Sequence, residues 1–143
     1  MAGIYDDHGV RFRYPDDWEI EVTDEGSVRT VALHSSTGPA FALVTMDDTR
    51  PDPADVADQA LEAMREEYPQ FDASPASESF AGHEAVGHDV EFFALDVPTY
   101  CAIRCFRTDR RTVLVFGQWP DDETDEGDGL ESVRRSFEET DEE

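Results

Sequence analysis

The chain has 143 residues, with 35 aspartates and glutamates against 11 arginines and no lysine, for a formal net charge of −24. A chain of this length buries ~68% of its unfolded surface, so one ordinary domain spanning residues 1–143 is expected to build a core without staples. The charge excludes a nucleic-acid binder, which needs a basic face to displace counterions, and it excludes an anionic membrane surface as partner.

The opening residues 1–7 carry neither a basic n-region nor an apolar h-region, so no signal peptide is expected. No window approaches the ~18 apolar residues of a membrane span. Arg11 to Tyr14 alternates and stops at Pro15, which reads as a strand. Trp18, Ile20 and Val22 alternate with Glu19 and Glu21 in a second strand with one wet face. After a turn at Glu25-Gly26, Val28 to Leu33 forms a third, broken by Ser36-Thr37-Gly38-Pro39. Ala40 to Met46 is apolar at nearly every position, as in a central strand covered on both sides.

Asp52-Pro53 opens a helix: aspartate suits the N-cap, proline the first helical position, and Asp55 the first turn. Val56, Ala60, Met64 and Tyr68, flanked by Ala57 and Leu61, give it one apolar stripe, and Pro69 ends it. Residues 72–80 are weakly extended up to a turn at Ala81-Gly82-His83. Three long strands follow over 85–95, 99–107 and 111–119, and their short links require antiparallel pairing. Residues 120–127 form an acidic loop. Asp128 and Glu131 have capping-box spacing for a last helix with Leu130, Val133 and Phe137 on its buried stripe. The tail 138–143 is expected to fray. Strands, helix, strands, helix, without alternation of β and α units, imply an α+β fold: an antiparallel sheet with helices packed on it.

Cys101 and Cys105 lie four apart in a strand, ~13 Å between Cα atoms, beyond disulfide reach. They read as buried thiols of a reducing cytoplasm, and their spacing does not suit a metal pair. An acidic surface with arginine but no lysine is expected of a protein folded at high intracellular salt, where screening relieves the repulsion. A GC-rich genome encoding an acidic mesophilic protein is the other source of such a composition.

Tyr5-Asp6-Asp7-His8-Gly9-Val10-Arg11-Phe12-Arg13-Tyr14-Pro15-Asp16-Asp17-Trp18 resembles the opening of PsbP-like domains. In those domains a short strand leads through a Gly-Val strand to Tyr-Pro and a tryptophan. At the far end, Val113-Leu114-Val115-Phe116 is similar to the family's last strand, and Val133 with Ser136-Phe137 to its closing helix. The resemblance implies an antiparallel sheet of about six strands sandwiched by helices. The family includes the photosystem II extrinsic protein, a nuclear import factor that binds the GTPase Ran, bacterial lipoproteins and chaperones for secreted effectors. It is mostly a family of binding and scaffolding proteins. The chain shows no lipoprotein signal, so that role is not expected, and no set of functional residues carries over.

Three constellations are candidates for chemistry. His83 and His88, near Glu84, Asp89 and Glu91, suit a divalent metal by residue type. Alternation nevertheless puts His88 with Val86, Val90 and Phe92, where it reads as a packed, hydrogen-bonded histidine. Asp122, Asp125 and Asp128 suit a hard cation such as Ca²⁺. With Asp122 first, Gly127 falls sixth but Val133 falls twelfth, where an EF-hand needs glutamate, so a solvated loop is the better reading. Arg104, Arg107, Arg110 and Arg111 form a basic cluster able to hold an anionic group or a partner's carboxylates, or to pair with neighbouring acids. There is no Gly-x-Ser-x-Gly elbow and no Gly-rich phosphate loop. The expectation is therefore a cytoplasmic protein-binding or scaffolding module of a salt-adapted organism, not an enzyme, with no cofactor, whose partner is another protein. The rivals are a metal-dependent factor or enzyme using His83, His88 and carboxylates, and a chaperone for a specific effector.

Overall fold

Strand alternation and one capped amphipathic run generate nearly every element of the computed structural model, which describes residues 2–7, 9–15, 17–36, 40–68, 71–80, 82–94, 96–120, 133 and 135–139. The strands are β1 (Ala2–Asp7), β2 (Val10–Pro15), β3 (Glu19–Glu25), β4 (Val28–His34), β5 (Phe41–Asp47), β6 (Phe71–Phe80), β7 (His83–Ala94), β8 (Val97–Arg107), β9 (Thr112–Pro120) and β10 (Glu138–Glu139). The helix α1 (Pro53–Glu67) lies between β5 and β6. Seven strands form one sheet in the order β3-β4-β5-β9-β8-β7-β6, and β1, β2 and β10 form a second sheet of three with β2 in the middle. All pairings among the described residues are antiparallel.

Helix α1 is built as its sequence specifies. The Asp52 side chain accepts from the Ala54 amide at 3.0 Å, satisfying one of the amides that a helix start leaves orphaned. At the other end the Tyr68 amide donates to the Met64 carbonyl at 2.7 Å. Ala57, Leu61 and Met64 pack on Val90, Phe92, Cys101, Ile103 and Cys105. The helix thus covers the β7–β8–β9 part of one sheet face.

The other face departs from the expected sandwich of helices. Among the described residues it is covered mainly by the second sheet, with Val133 and Phe137 of a helical turn packed into the same core. Phe12 and Val10 of β2, with Tyr5 of β1, pack on Val31, Leu33, Val44, Met46, Val113 and Val115. The closing helix expected over 130–137 is, among the described residues, a helical turn at Val133, Arg135 and Ser136 that gives way to β10. Glu138 and Glu139 pair with Arg11 and Val10, so the first two residues of the tail expected to fray are in register with β2. The physical reason is packing area. Phe137 enters a ring cluster with Phe12 at 6.2 Å, Phe106 at 5.6 Å and Phe80 at 6.5 Å, and the hairpin β1–β2 supplies the flat apolar side that a second helix was expected to supply. Among the described residues the fold is thus a seven-stranded sheet with helix α1 on one face and a small sheet, joined by the helical turn before β10, on the other. The expected turn residues at 37–39 and 81, the helix stop at Pro69, and the loop and helix start at 121–132 lie outside the described residues.

Candidate functional site

The residues singled out by type do not converge. His83 and His88 are five positions apart in β7 and therefore face opposite sides of the sheet. The ring of His83 stacks on Phe106 at 5.2 Å. His88 lies under α1, where its Nε2 donates to Asp58 Oδ1 at 3.1 Å and ties the helix to the sheet. Among the described residues no group of three or more His, Cys, Asp or Glu side chains could hold a metal ion. Asp122, Asp125 and Asp128 lie outside the described residues.

The arginines also separate. Arg104 lies across Gly87 of β7, its register partner, where an added Cβ would meet the Ile103 carbonyl at 1.7 Å, so the strands touch where glycine stands. That closeness lets Arg104 reach Glu78 on β6 and Asp89 Oδ1, the latter at 2.8 Å. Burial alone would lower its pKa, but the hydrogen bonds and charges of Glu78 and Asp89 outweigh burial and raise it. Arg107, Arg110 and Arg111 stand instead around the β8–β9 turn. The Thr108 hydroxyl donates to Glu139 Oε2 at 2.7 Å, and Arg111 Nε lies 3.3 Å from the same carboxylate. Arg50, not suspected from sequence, completes the group: its Nε donates to the Thr108 carbonyl at 2.9 Å, and Arg107 donates to the Arg50 carbonyl at 3.4 Å. The cluster thus fastens β10 and the segment before α1 to the main sheet.

A trough over β6, β7 and β8 is the better candidate. Register places Asp72, Glu91, Tyr100 and Trp119 in one row across four strands, all on the face away from α1. Two adjoining cavities, of about 370 and 560 Å³, both open against Asp72, Glu91 and Tyr100. Phe93 and Pro98 line the first on this face, while Phe71 and Phe92 border it from the helix-covered side at the strand ends; Asp89 and Trp119 line the second. The Tyr100 and Trp119 rings lie 6.3 Å apart at 44°. Phe93 is 69% exposed, a large apolar side chain left in water at the trough's rim. The described ion pairs bring no arginine to Asp72 or Glu91. Aromatic faces and uncompensated carboxylates in one concavity attract cations. Sequence reading missed this row because only the strand register makes it.

Both thiols are buried in the helix-covered core and unbridged. Burial, with the Asp52 charge adding to it, pushes Cys105 up from its ordinary 9.0 to about 12, and burial pushes Cys101 up further. An acid raised in the folded state contributes stability that is intact below the unfolded pKa and is lost as pH rises through the folded one. The urea midpoint is therefore expected to hold up to about pH 9 and fall between 9 and 12, less steeply in Cys105→Ala. Native labelling at pH 8 is expected to be slow, since the thiolate is the nucleophile. Rapid stoichiometric labelling, or a midpoint flat to pH 11, would show that the thiols are not buried.

No protein-family model matches the chain, and no curated protein matches its sequence. Solved structures do. A protein of Bacteroides thetaiotaomicron is 12% identical over 94% of this chain with a TM-score of 0.61, and the chain spans 46% of that protein's length. LpqN, involved in cell envelope biogenesis of Mycobacterium tuberculosis, is 16% identical with a TM-score of 0.57, over 98% of this chain and 91% of LpqN. These likenesses show an α+β fold built on a β-sheet. Neither names the PsbP-like family. No helix among the described residues is long and apolar enough to cross a membrane.

Proposed function

We propose that the chain is a PsbP-like protein-binding module of a salt-adapted cytoplasm, and that it takes a basic segment of a partner protein in the trough over β6, β7 and β8. The observation that carries this reading is the row Asp72, Glu91, Tyr100 and Trp119, which puts two carboxylates and two aromatic faces on the floor of adjoining cavities. Arginine and lysine bury an apolar stem and present a cation, so they fill such a trough with both ends satisfied. The surrounding negative field steers a basic partner toward it and repels acidic ones. The resemblance to a family of binding and scaffolding proteins supports a binding role over a catalytic one.

Titration with an arginine-rich peptide, followed by amide chemical shifts, tests the reading. Shifts are expected to centre on Glu91 and Tyr100. The double variant Asp72→Asn, Glu91→Gln is expected to bind about tenfold more weakly at low salt, as for truncated rim charges acting together. Tyr100→Leu is expected to weaken binding even at molar salt, where carboxylate attraction is screened but ring contact remains. Shifts spread over the whole acidic surface, unchanged by these variants, would reject the trough as the site.

A further inference from the structure

The two edges of the seven-stranded sheet are unlike. At one end β6 carries Pro75 in mid-strand, opposite His88, and proline has no amide to offer an incoming strand. At the other end β3 has seven residues without proline, all of them exposed, and β4 is its one partner in the sheet among the described residues. An edge of this length presents a row of unclaimed backbone donors and acceptors. Its side chains extend the core outward. Ile20 is opposite Leu33 and Val22 opposite Val31, both partners fully buried, yet Ile20 and Val22 remain 38% and 46% exposed. Glu19 and Glu21 alternate with them on the helix side.

We propose that β3 is a docking edge for strand addition, and that its occupant is an extended segment of another protein alternating lysine or arginine with β-branched apolar residues. An added strand would complete the backbone ladder, bury Ile20 and Val22 against apolar partners and place its cations beside Glu19 and Glu21. A second copy of this chain does not fit. Two β3 strands side by side would bring Glu19, Glu21, Asp24 and Glu25 against their own kind on molecules that each carry a net charge of −24. The acidic edge thus prevents self-association while leaving the ladder open to a basic strand.

This surface lies at the end of the sheet remote from the trough, so the two are separable by experiment. The probe is an eight-residue peptide alternating lysine with valine. Three comparisons go with it: the same peptide N-methylated at alternate amides, a peptide of the same composition with its lysines contiguous, and the variant Glu19→Lys, Glu21→Lys, whose changes are on exposed positions and leave the core intact. The alternating peptide is expected to shift amides of β3 and β4, and the N-methylated one to bind at least about tenfold more weakly, since hydrogen bonds are removed while charge is kept. The charge-reversed variant is expected to lose binding. Equal binding by the N-methylated or contiguous peptide, shifts centred on Glu91 and Tyr100, self-association through β3 in sedimentation, or no binding at all would overturn the proposal.

Discussion

Phe137→Ala is expected to destabilise the protein by about 3–5 kcal/mol, the range for removing a fully packed phenylalanine. Phe137 is 5% exposed and is the last large core side chain among the described residues. Its ring meets Phe12 of the small sheet and Phe80 and Phe106 of the large one, so its loss opens a cavity at the seam between the two sheets. Neighbouring rings are held by their strands and cannot collapse into the space, which puts the cost toward the upper end. A domain of this kind has ~5–15 kcal/mol in all, so the variant would lose a large share of it. With a urea slope of ~1–3 kcal/mol/M, the midpoint is expected to fall by about 2 M. Phe93→Ala is the control: its ring is 69% exposed, and a shift within about 0.5 kcal/mol is expected. If Phe137→Ala costs no more than Phe93→Ala, the seam does not hold the sheets together, and the second sheet is an ornament on a core that stands without it.

Where a signal is local, the sequence carries it. The N-cap at Asp52, the four-residue recurrence from Val56 to Tyr68 and the alternation in β2, β4, β7, β8 and β9 are each decided within a dozen residues, and those elements are where they were expected. The second sheet is not local. Of β1 only Tyr5 is buried among its described side chains, while Ile4 is 50% exposed and Asp6 and Asp7 face water, so no alternation marks the strand. The signal that was present is Gly9, which takes a φ of 84° just before Val10, the register partner of Asp7. β10 consists of two glutamates, a pairing no propensity specifies, and it exists because Phe137 is anchored beside β2. Parity alone separates His83 from His88, since an odd spacing in one strand sends two side chains to opposite faces. The trough is less accessible to such reasoning: Asp72, Glu91, Tyr100 and Trp119 become neighbours only when three registers are fixed together, and a slip of one residue in any of them would scatter the row.

Stability is expected to rise from low to molar KCl without need of a specific cation. The chain carries a net charge of −24, and register sets like charges side by side, as with Asp72 directly opposite Glu91. Two unit charges 4 Å apart in water repel by ~1 kcal/mol, and a surface this acidic has many such pairs, so their sum is comparable with the whole ~5–15 kcal/mol of a domain. The ion pairs of Arg29 with Asp24 and of Arg104 with Glu78 and Asp89 offset only a part of it. Between ~0.1 M and ~2 M KCl the Debye length falls from ~10 Å to below ~3 Å, so repulsion between exposed carboxylates is nearly removed. The denaturation midpoint should climb steeply over that range and equally in NaCl. High salt also strengthens apolar burial, so the gain must exceed that given by a neutral osmolyte. Asp72→Asn should raise the midpoint at 0.1 M and leave it nearly unchanged at 2 M, because the repulsion it removes is already screened there. A midpoint indifferent to salt would refute adaptation to high salt. A sharp gain at micromolar Ca²⁺ or Mn²⁺ would instead identify a specific carboxylate site, since screening does not distinguish one divalent ion from another and is negligible at that concentration.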